Sequence, residues 1–281
     1  TDYTLSYKGD TTNVGTVTVT IIGIGNYTGS HDVTYQITKR TVKLTSGSDS
    51  KTYDGTPLVK HDVTVSEDGF ADGEGATYSY TGTQIDAGSS ENTFTYALNE
   101  GTLASNYEIT TVNGTLTVEA VKTEVKVEIT GHTDTVTYDG QVHSVSGYDV
   151  TKISNKLYSD TAISFTGTAV VSRTVAGTSY MGLTAAQFSN TSANFTNVTF
   201  VVHDGWLKVD PKSIIPDGPD TPDEKKTGIE VTKPADSKYD GNVHENKPEV
   251  KDTKTGATLV EGTDYTLSYK GDTTNAGTVT V

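Results

Sequence analysis

TDYTLSYKGDTTNVGTVTV occupies residues 1–19, and TDYTLSYKGDTTNAGTVTV occupies residues 263–281. The two stretches differ only at Val14 and Ala276, which excludes a chance similarity. Segments such as GTVTVTI (15–21) alternate apolar residues with Thr or polar residues at a period of two, which is typical of half-buried β-strands. The duplication therefore predicts a repeated β-unit, and we expect the chain to be one period of an array plus a short overlap.

The composition favours several small β modules over one large core. Thr, Val, Gly, Asp, Ser and Tyr are plentiful, whereas large aliphatic residues are sparse for 281 residues. Thr, Val and Tyr suit a pleated, half-buried surface, and Gly, Asp and Asn supply the turns. We predict an all-β protein made of several small modules.

The charge and the cysteine count exclude several partners and chemistries. The formal net charge is −15, and a field of that sign repels nucleic acid and anionic membranes. No apolar run is long enough to span a bilayer, so membrane insertion is not expected. There is no cysteine, which removes disulfides and thiolate chemistry.

Three short motifs recur at the spacing of small domains. The first is a Tyr-Asp-Gly triplet, at Tyr53, Asp54 and Gly55, at Tyr138, Asp139 and Gly140, and at Tyr239, Asp240 and Gly241. The second is a small residue followed by Gly, at Val14-Gly15, Ala87-Gly88, Ala176-Gly177 and Ala276-Gly277. The third is Asn followed by an aromatic residue, at Asn26-Tyr27, Asn106-Tyr107 and Asn194-Phe195. One template has been used three times.

The template predicts the domain boundaries. Residues 40–120 and 121–210 each form a complete module. The third module is divided between its first half, residues 227–281, and its second half, residues 1–39. Residues 211–226 carry most of the prolines and a block of acids, which predicts an extended linker that acts as a compliant joint.

The motifs resemble those of an Ig-like repeat family of Firmicutes surface proteins. The quoted residues are YDGNVHENKPEV, LVEGTDYTLSYKGDTTNAGTVTV and IIGIGNYTGSHDVTYQI, with similar sets in the other two modules. The resemblance implies tandem β-sandwich domains in the stalk of a cell-wall-anchored adhesin outside the bacterial cell. It implies no catalytic residues and no cofactor.

Candidate ligand sites are better explained as structure. The Tyr-Asp-Gly triplets could contact a ligand, but Asp-Gly is turn chemistry, and we expect each Tyr ring against a core edge with its hydroxyl bonded. His143 and His244 occupy equivalent positions, where Leu58 stands in the first complete module. We therefore expect the histidines to pack rather than to ligate zinc.

The remaining acidic and lysine side chains give three weaker alternatives. Two acidic clusters could bind calcium, although neither matches a calcium loop: Asp217, Asp220, Asp223 and Glu224, and Asp68, Asp72 and Glu74. Lys43, Lys126 and Lys238 lie near strand starts and could form isopeptide crosslinks with a buried Asn. No serine, histidine and acid are arranged as a catalytic triad, so we expect no enzyme.

The expected function is a non-catalytic stalk whose partners are neighbouring repeats of the same array. A rival is a module that binds a host glycan or protein, which clustering of Trp206, Tyr158, Tyr180 and Phe70 on one surface would favour. A third alternative is head-to-tail self-association into a filament, because each half-module has unpaired edges.

Overall fold

The computed structural model describes residues 1–281 except for the side chain of Glu224. The described chain contains 24 β-strands and four short 3-10 helices, with no α-helix, so the all-β prediction is confirmed. The 3-10 helices are Ala104–Asn106, Asp160–Ala162, Ala185–Gln187 and Asp223–Lys225. Among these described elements, none is a helix long and apolar enough to cross a lipid bilayer.

The first eleven strands lie within residues 1–120. They are Tyr3–Lys8 (β1), Gly15–Gly23 (β2), Ser30–Ile37 (β3), Arg40–Ser46 (β4), Asp49–Thr52 (β5), Val63–Glu67 (β6), Ala76–Tyr80 (β7), Gly88–Asn92 (β8), Phe94–Leu98 (β9), Tyr107–Val112 (β10) and Gly114–Glu119 (β11).

The other thirteen strands follow. They are Val125–Gly131 (β12), Thr133–Thr137 (β13), His143–Ser146 (β14), Tyr148–Ile153 (β15), Ile163–Phe165 (β16), Val170–Arg173 (β17), Gly177–Tyr180 (β18), Phe188–Asn190 (β19), Val198–His203 (β20), Trp206–Asp210 (β21), Ile229–Thr232 (β22), Glu249–Asp252 (β23) and Ala257–Thr258 (β24).

The chain packs into two compact units. The first comprises Thr1–Val125, Asn155–Ile163 and Asn190–Val198, and the second comprises Lys126–Ser154, Ser164–Ser189 and Thr199–Val281.

Residues 40–120 form two three-stranded sheets, and the chain crosses directly from one sheet to the other. In the first sheet β4 lies between β10, which is parallel to it, and β6, which is antiparallel. In the second sheet β11 lies between the parallel β5 and the antiparallel β8. Val42, Leu44 and Tyr107 form one buried cluster, and Leu58, Leu116 and Val118 form another. The chain therefore passes from the first sheet to the second between β4 and β5.

Residues 121–210 repeat this arrangement with different side chains. The strand β12 lies between β15 and β20, and β21 lies between the parallel β13 and the antiparallel β18. Val127 and Ile129 on β12 are fully buried, as is Leu207 on β21. The alternation of buried and exposed residues along β12 and β21 follows the period-two pattern of the sequence.

A glycine stands at the first position of β11 and directly before β21, because another backbone segment passes close to it. A Cβ on Gly114 would collide with the carbonyl oxygens of Ser46 and Gly47, where β4 gives way to β5. A Cβ on Gly205, which precedes β21, would lie 2.6 Å from the carbonyl oxygen of His132 at the corresponding place. The shared glycine thus reflects close backbone packing at the passage between sheets.

The two copies of the duplicated stretch differ in structure. In the first, β1 and β2 pair antiparallel from Tyr3 with Gly23 to Lys8 with Thr18, and β2 also pairs with β3. In the second, residues 263–281 form no strand and keep only single bridges, including Lys270 with Thr280. That bridge is the counterpart of Lys8 with Thr18, so the hairpin register is kept at this point although the ladder is not.

Candidate functional site

The three Tyr-Asp-Gly triplets form the same turn. In each, the aspartate Oδ1 accepts a hydrogen bond from the backbone N–H two residues later at 2.9 Å, the donors being Thr56, Gln141 and Asn242. Each glycine has a positive φ, +78° at Gly55, +80° at Gly140 and +84° at Gly241. A side chain at that position would be strained, which explains the Gly.

A basic or imidazole side chain binds the same aspartate oxygen in each turn. The Nε2 atoms of His143 and His244 lie 2.8 and 2.9 Å from Asp139 and Asp240, and Lys51 Nζ lies 2.7 Å from Asp54 in the first module. Both histidines are half-buried, and each is in addition a polar partner of its turn. Leu58 stands at the equivalent position in the first module, where Lys51, three residues before Asp54, supplies the donor.

These hydrogen bonds lower the pKa of each turn aspartate. The pKa of Asp139 is held below its ordinary value by the backbone N–H of Gln141 first and by His143 second. For Asp54 the side chain of Lys51 is the largest cause of the lowered pKa. The turns are therefore built around an ionised carboxylate, which accepts hydrogen bonds more strongly than a neutral group.

The tyrosines of the triplets differ in environment. The Tyr53 ring packs beside the cluster of Leu58, Leu116 and Val118 and meets Phe195 edge-on at 5.7 Å. Tyr138 is half-buried, but Tyr239 is 67% exposed. The expectation of a ring against a core edge is wrong for Tyr239.

Asn106 binds the small-Gly turn at Val14-Gly15, which belongs to the module that precedes residues 40–120. Its Oδ1 accepts the backbone N–H of Val14 at 3.0 Å, and its Nδ2 donates to Asn13 Oδ1 at 2.8 Å. The amide thus spans residues 92 and 93 positions apart in the chain. Tyr107, which follows it, is 4% exposed and lies in the core of residues 40–120.

Asn194 makes the same two bonds to the next turn. Its Oδ1 accepts the backbone N–H of Ala87 at 2.6 Å, and its Nδ2 donates to Asp86 Oδ1 at 2.9 Å. Phe195, which follows it, is 3% exposed and packs edge-on against Tyr53. The Asn-aromatic motif is therefore a junction: the ring is buried, and the amide holds the preceding turn.

The Pro- and Asp-rich stretch is fastened to the segment that follows it. Lys212 Nζ lies 2.7 Å from both carboxylate oxygens of Asp252, and the two side chains are 11% and 3% exposed. Asp217 accepts the backbone N–H groups of Thr227 and Gly228, each at 2.8 Å. A segment with two such anchors differs from the compliant joint that its composition predicts.

The acidic clusters proposed for calcium are partly occupied by protein donors. Asp223 binds Lys226, Asp68 accepts the N–H of Thr41, and Glu74 accepts the hydroxyl of Tyr107. The side chain of Glu224 lies outside the described part. Within that part, no three His, Asp or Glu residues form a group that could hold a metal ion.

The lysines and aromatics singled out in the sequence lie in separate places. Lys238 is exposed and Lys43 is half-buried. Phe70 packs against the core around Tyr107, and Tyr158 is 4% exposed, so neither contributes to an aromatic surface. Trp206 is half-buried and lies opposite Tyr180, which is 65% exposed.

No known protein family matches the sequence, and no curated protein is significantly similar to it.

Proposed function

We propose that this chain is a structural, non-catalytic region of a bacterial cell-surface stalk, built from Ig-like β-sandwich modules in an extended array. The modules are residues 40–120, residues 121–210 and a third that joins residues 227–262 to residues 1–39 of the next period, because residues 263–281 duplicate residues 1–19. Support for the sandwich form comes from the passage of one strand between two sheets, as β4 to β5 and as β12 to β13.

The recurring junction carries this proposal. Two asparagines at the same template position, Asn106 and Asn194, bind the backbone N–H of the small-Gly turn in the preceding segment. An enzyme or a receptor domain has no need to repeat an inter-segment contact. A stalk does, because each module must be oriented by its neighbour.

The mechanism is geometric. Each module has a small core of its own, so stability is a sum of modules and junctions, and reach grows with the number of copies. The buried pair of Lys212 and Asp252 makes the Pro- and Asp-rich stretch a fixed strut between β21 and the next segment. Stiffness then extends through the full period.

Small-angle X-ray scattering on chains of one and two periods tests the proposal. The longer chain carries residues 1–262 twice, followed by residues 263–281, and both are extrapolated to zero concentration. For an extended array the maximum dimension nearly doubles. For a compact protein the overall dimensions, including the radius of gyration, grow only about 1.3-fold when the chain length doubles. Growth of that size would contradict the stalk.

A further inference from the structure

The sheet β1-β2-β3 has an apolar face that is exposed along its two outer strands, although Val17 on the central strand, which pairs with Tyr35, is fully buried. Tyr3, Leu5 and Tyr7 on β1 are 53%, 46% and 55% exposed, and Val33 and Tyr35 on β3 are each 43% exposed. The strand register places all five on one face, with Thr and charged residues on the other. Antiparallel sheets ordinarily pack one face against another element, and a contiguous exposed apolar face marks an interaction site.

The duplicate copy identifies what covers this face. Tyr265, Leu267 and Tyr269 are the same residues as Tyr3, Leu5 and Tyr7, yet all three are half-buried. The Tyr269 hydroxyl donates to the carbonyl oxygen of Glu245 at 3.3 Å. The backbone N–H of His244 donates to Thr273 at 2.8 Å. Residues 227–262 therefore already receive this stretch of sequence.

The second copy leaves part of its receiving site open. A cleft of about 590 Å³ remains beside it, lined by residues that include Tyr239, Tyr269, Val279 and Val281. In the first copy the equivalent edge, residues 15–19, is paired with β3 from Gly15 with Ile37 to Val19 with Val33. The open cleft lies where the β3 strand would belong.

The junction pattern supplies an independent observation. The turn residues Val14 and Ala87, which are bound by asparagines, are half-buried, whereas Ala176 is exposed and its N–H has no hydrogen bond among the described residues. Asn26 is likewise exposed with no side-chain hydrogen bond in the described part, and Tyr27 is 61% exposed. A junction amide and a junction turn are thus both unpaired.

A second cavity marks the place for that amide. About 390 Å³ of space is bordered by Tyr138 and Ala176 on one side and by Ile229 and Asp252 on the other. Tyr138 is the template equivalent of Tyr53, against which Phe195 packs at the observed junction.

We propose that residues 1–39 of a second copy of this chain bind residues 227–262, taking the place of residues 263–281. The incoming 19 residues differ from those they displace only at Val14, so they can form the same hydrogen bonds and packing with residues 227–262. The exchange adds β3, which is already paired with β2 over eight positions. It also brings Asn26 to the N–H of Ala176 and Tyr27 to Tyr138. Asn13 and Asp86 accept a hydrogen bond from the asparagine Nδ2 at the two observed junctions, but Val175 has no side-chain acceptor at the equivalent position. The new junction therefore has only one of the two hydrogen bonds, the one from the Ala176 N–H to Asn26 Oδ1.

Such an interface is heterologous, because it joins two different surfaces, residues 1–39 of one copy and residues 227–262 of the next, and it links copies head to tail into rings or filaments. It goes beyond the stalk function, because two copies can join in this way whatever the array is for.

Single cysteines test the arrangement, since the chain has none of its own. Chains with Asn26→Cys and chains with Ala176→Cys are mixed one to one under mild oxidation. We expect a mixed disulfide dimer at least about tenfold more abundant than either homodimer. A mixture of Asn26→Cys with the exposed Lys122→Cys is the control and gives no excess. An equal yield in both mixtures would overturn the proposed pairing.

Light scattering of the unmodified chain over a concentration series gives the second readout. We expect a mass that rises with concentration above that of the single chain, and at least about tenfold weaker association for Tyr35→Lys, whose charge lies on the apolar face. Thr34→Lys, on the opposite face of β3, associates like the native chain. A native chain that stays monomeric, or association that survives Tyr35→Lys, would refute the proposal. These results do not depend on the maximum dimension, measured by small-angle X-ray scattering, that tests the stalk.

Discussion

Replacing Lys212 by Met tests whether the Pro- and Asp-rich stretch is a strut or a joint. The change removes two charge-assisted hydrogen bonds of 2.7 Å and leaves the Asp252 carboxylate 3% exposed without its cation. Breaking a buried pair from one side costs about 3–5 kcal/mol. The backbone N–H groups of Lys254 and Thr255 still bind the carboxylate at 3.0 and 3.3 Å, so we expect a cost near the lower limit, about 3 kcal/mol.

Hydrogen exchange is the appropriate assay because the loss is local. The amide of Thr253 donates to Gly228, and that of Leu259 donates to Val250, each at 2.8 Å. A loss of about 3 kcal/mol lowers their protection roughly 100-fold. Amides of β4 and β11 serve as internal references and should not change.

The pH dependence reverses sign in the variant. Burial raises the pKa of Asp252, but hydrogen bonds from Lys212, Thr255 and Lys254 outweigh it, and the native pKa lies below 3.8. A lowered pKa contributes stability above the unfolded-state value, and this contribution is lost as the pH falls through the folded value. Without Lys212 burial dominates and the pKa rises, so the segment of the variant becomes more stable as the pH falls from 7 toward ~4.

Two further variants make the result interpretable. Lys233 pairs with Asp236 on the surface, with side chains 79% and 88% exposed, so Lys233→Met should leave protection unchanged. Adding Asp252→Asn to Lys212→Met removes the unpaired charge and should restore part of the protection. Unchanged protection in Lys212→Met itself, at any pH, would refute the strut.

Three other changes have defined outcomes. Asn194→Ala removes the bond to the Ala87 N–H, and exchange at that amide should accelerate about fivefold, for a net loss near ~1 kcal/mol; an unchanged rate would show that the Asn194 amide does not hold this turn. Gly205→Ala drives a Cβ against the His132 carbonyl oxygen and should destabilise residues 121–210 by about 2 kcal/mol in denaturant unfolding, whereas Gly218→Ala, whose Cβ would meet only Thr221 Oγ1 at an ordinary contact distance of 3.7 Å, should be neutral. Leu44→Ala empties a fully buried site and should cost about 2–5 kcal/mol, seen as lost protection in β4 and β10.

The sequence predicts the strands well because their cause is local. Alternation along Val125–Gly131 and Trp206–Asp210 reappears as alternating burial, and the Asp-Gly pairs reappear as turns with a positive φ. The role of His143 is harder to predict, because Leu58 at the equivalent position suggests packing. Only the structure shows that Lys51, which precedes the aspartate in the chain, binds the carboxylate oxygen that the imidazole binds in the other turns.

The duplicated stretch shows the limit of local information. Asp10 and Asp272 bind the same backbone N–H groups two and three residues later, at 2.8 and 3.0 Å in both copies. That loop follows from the sequence alone. The strands do not, because β2 is a full strand only where β3 pairs with it. Similarly, the composition of residues 211–226 predicts an open spacer, whereas Lys212 finds its partner 40 residues away.

The junctions orient neighbouring segments through polar groups as well as through apolar contact. Apolar burial is non-directional, so it holds two surfaces together without fixing their rotation. A side-chain amide that both accepts and donates restricts the approach to one geometry. At Asn106 and Asn194 that amide is adjacent to an aromatic ring that is 4% or 3% exposed, so the group that orients the neighbour is fixed by a buried side chain. The orientation of the bound turn therefore depends on how firmly Tyr107 and Phe195 are packed. A substitution in either core should weaken the junction as well as the core that contains it.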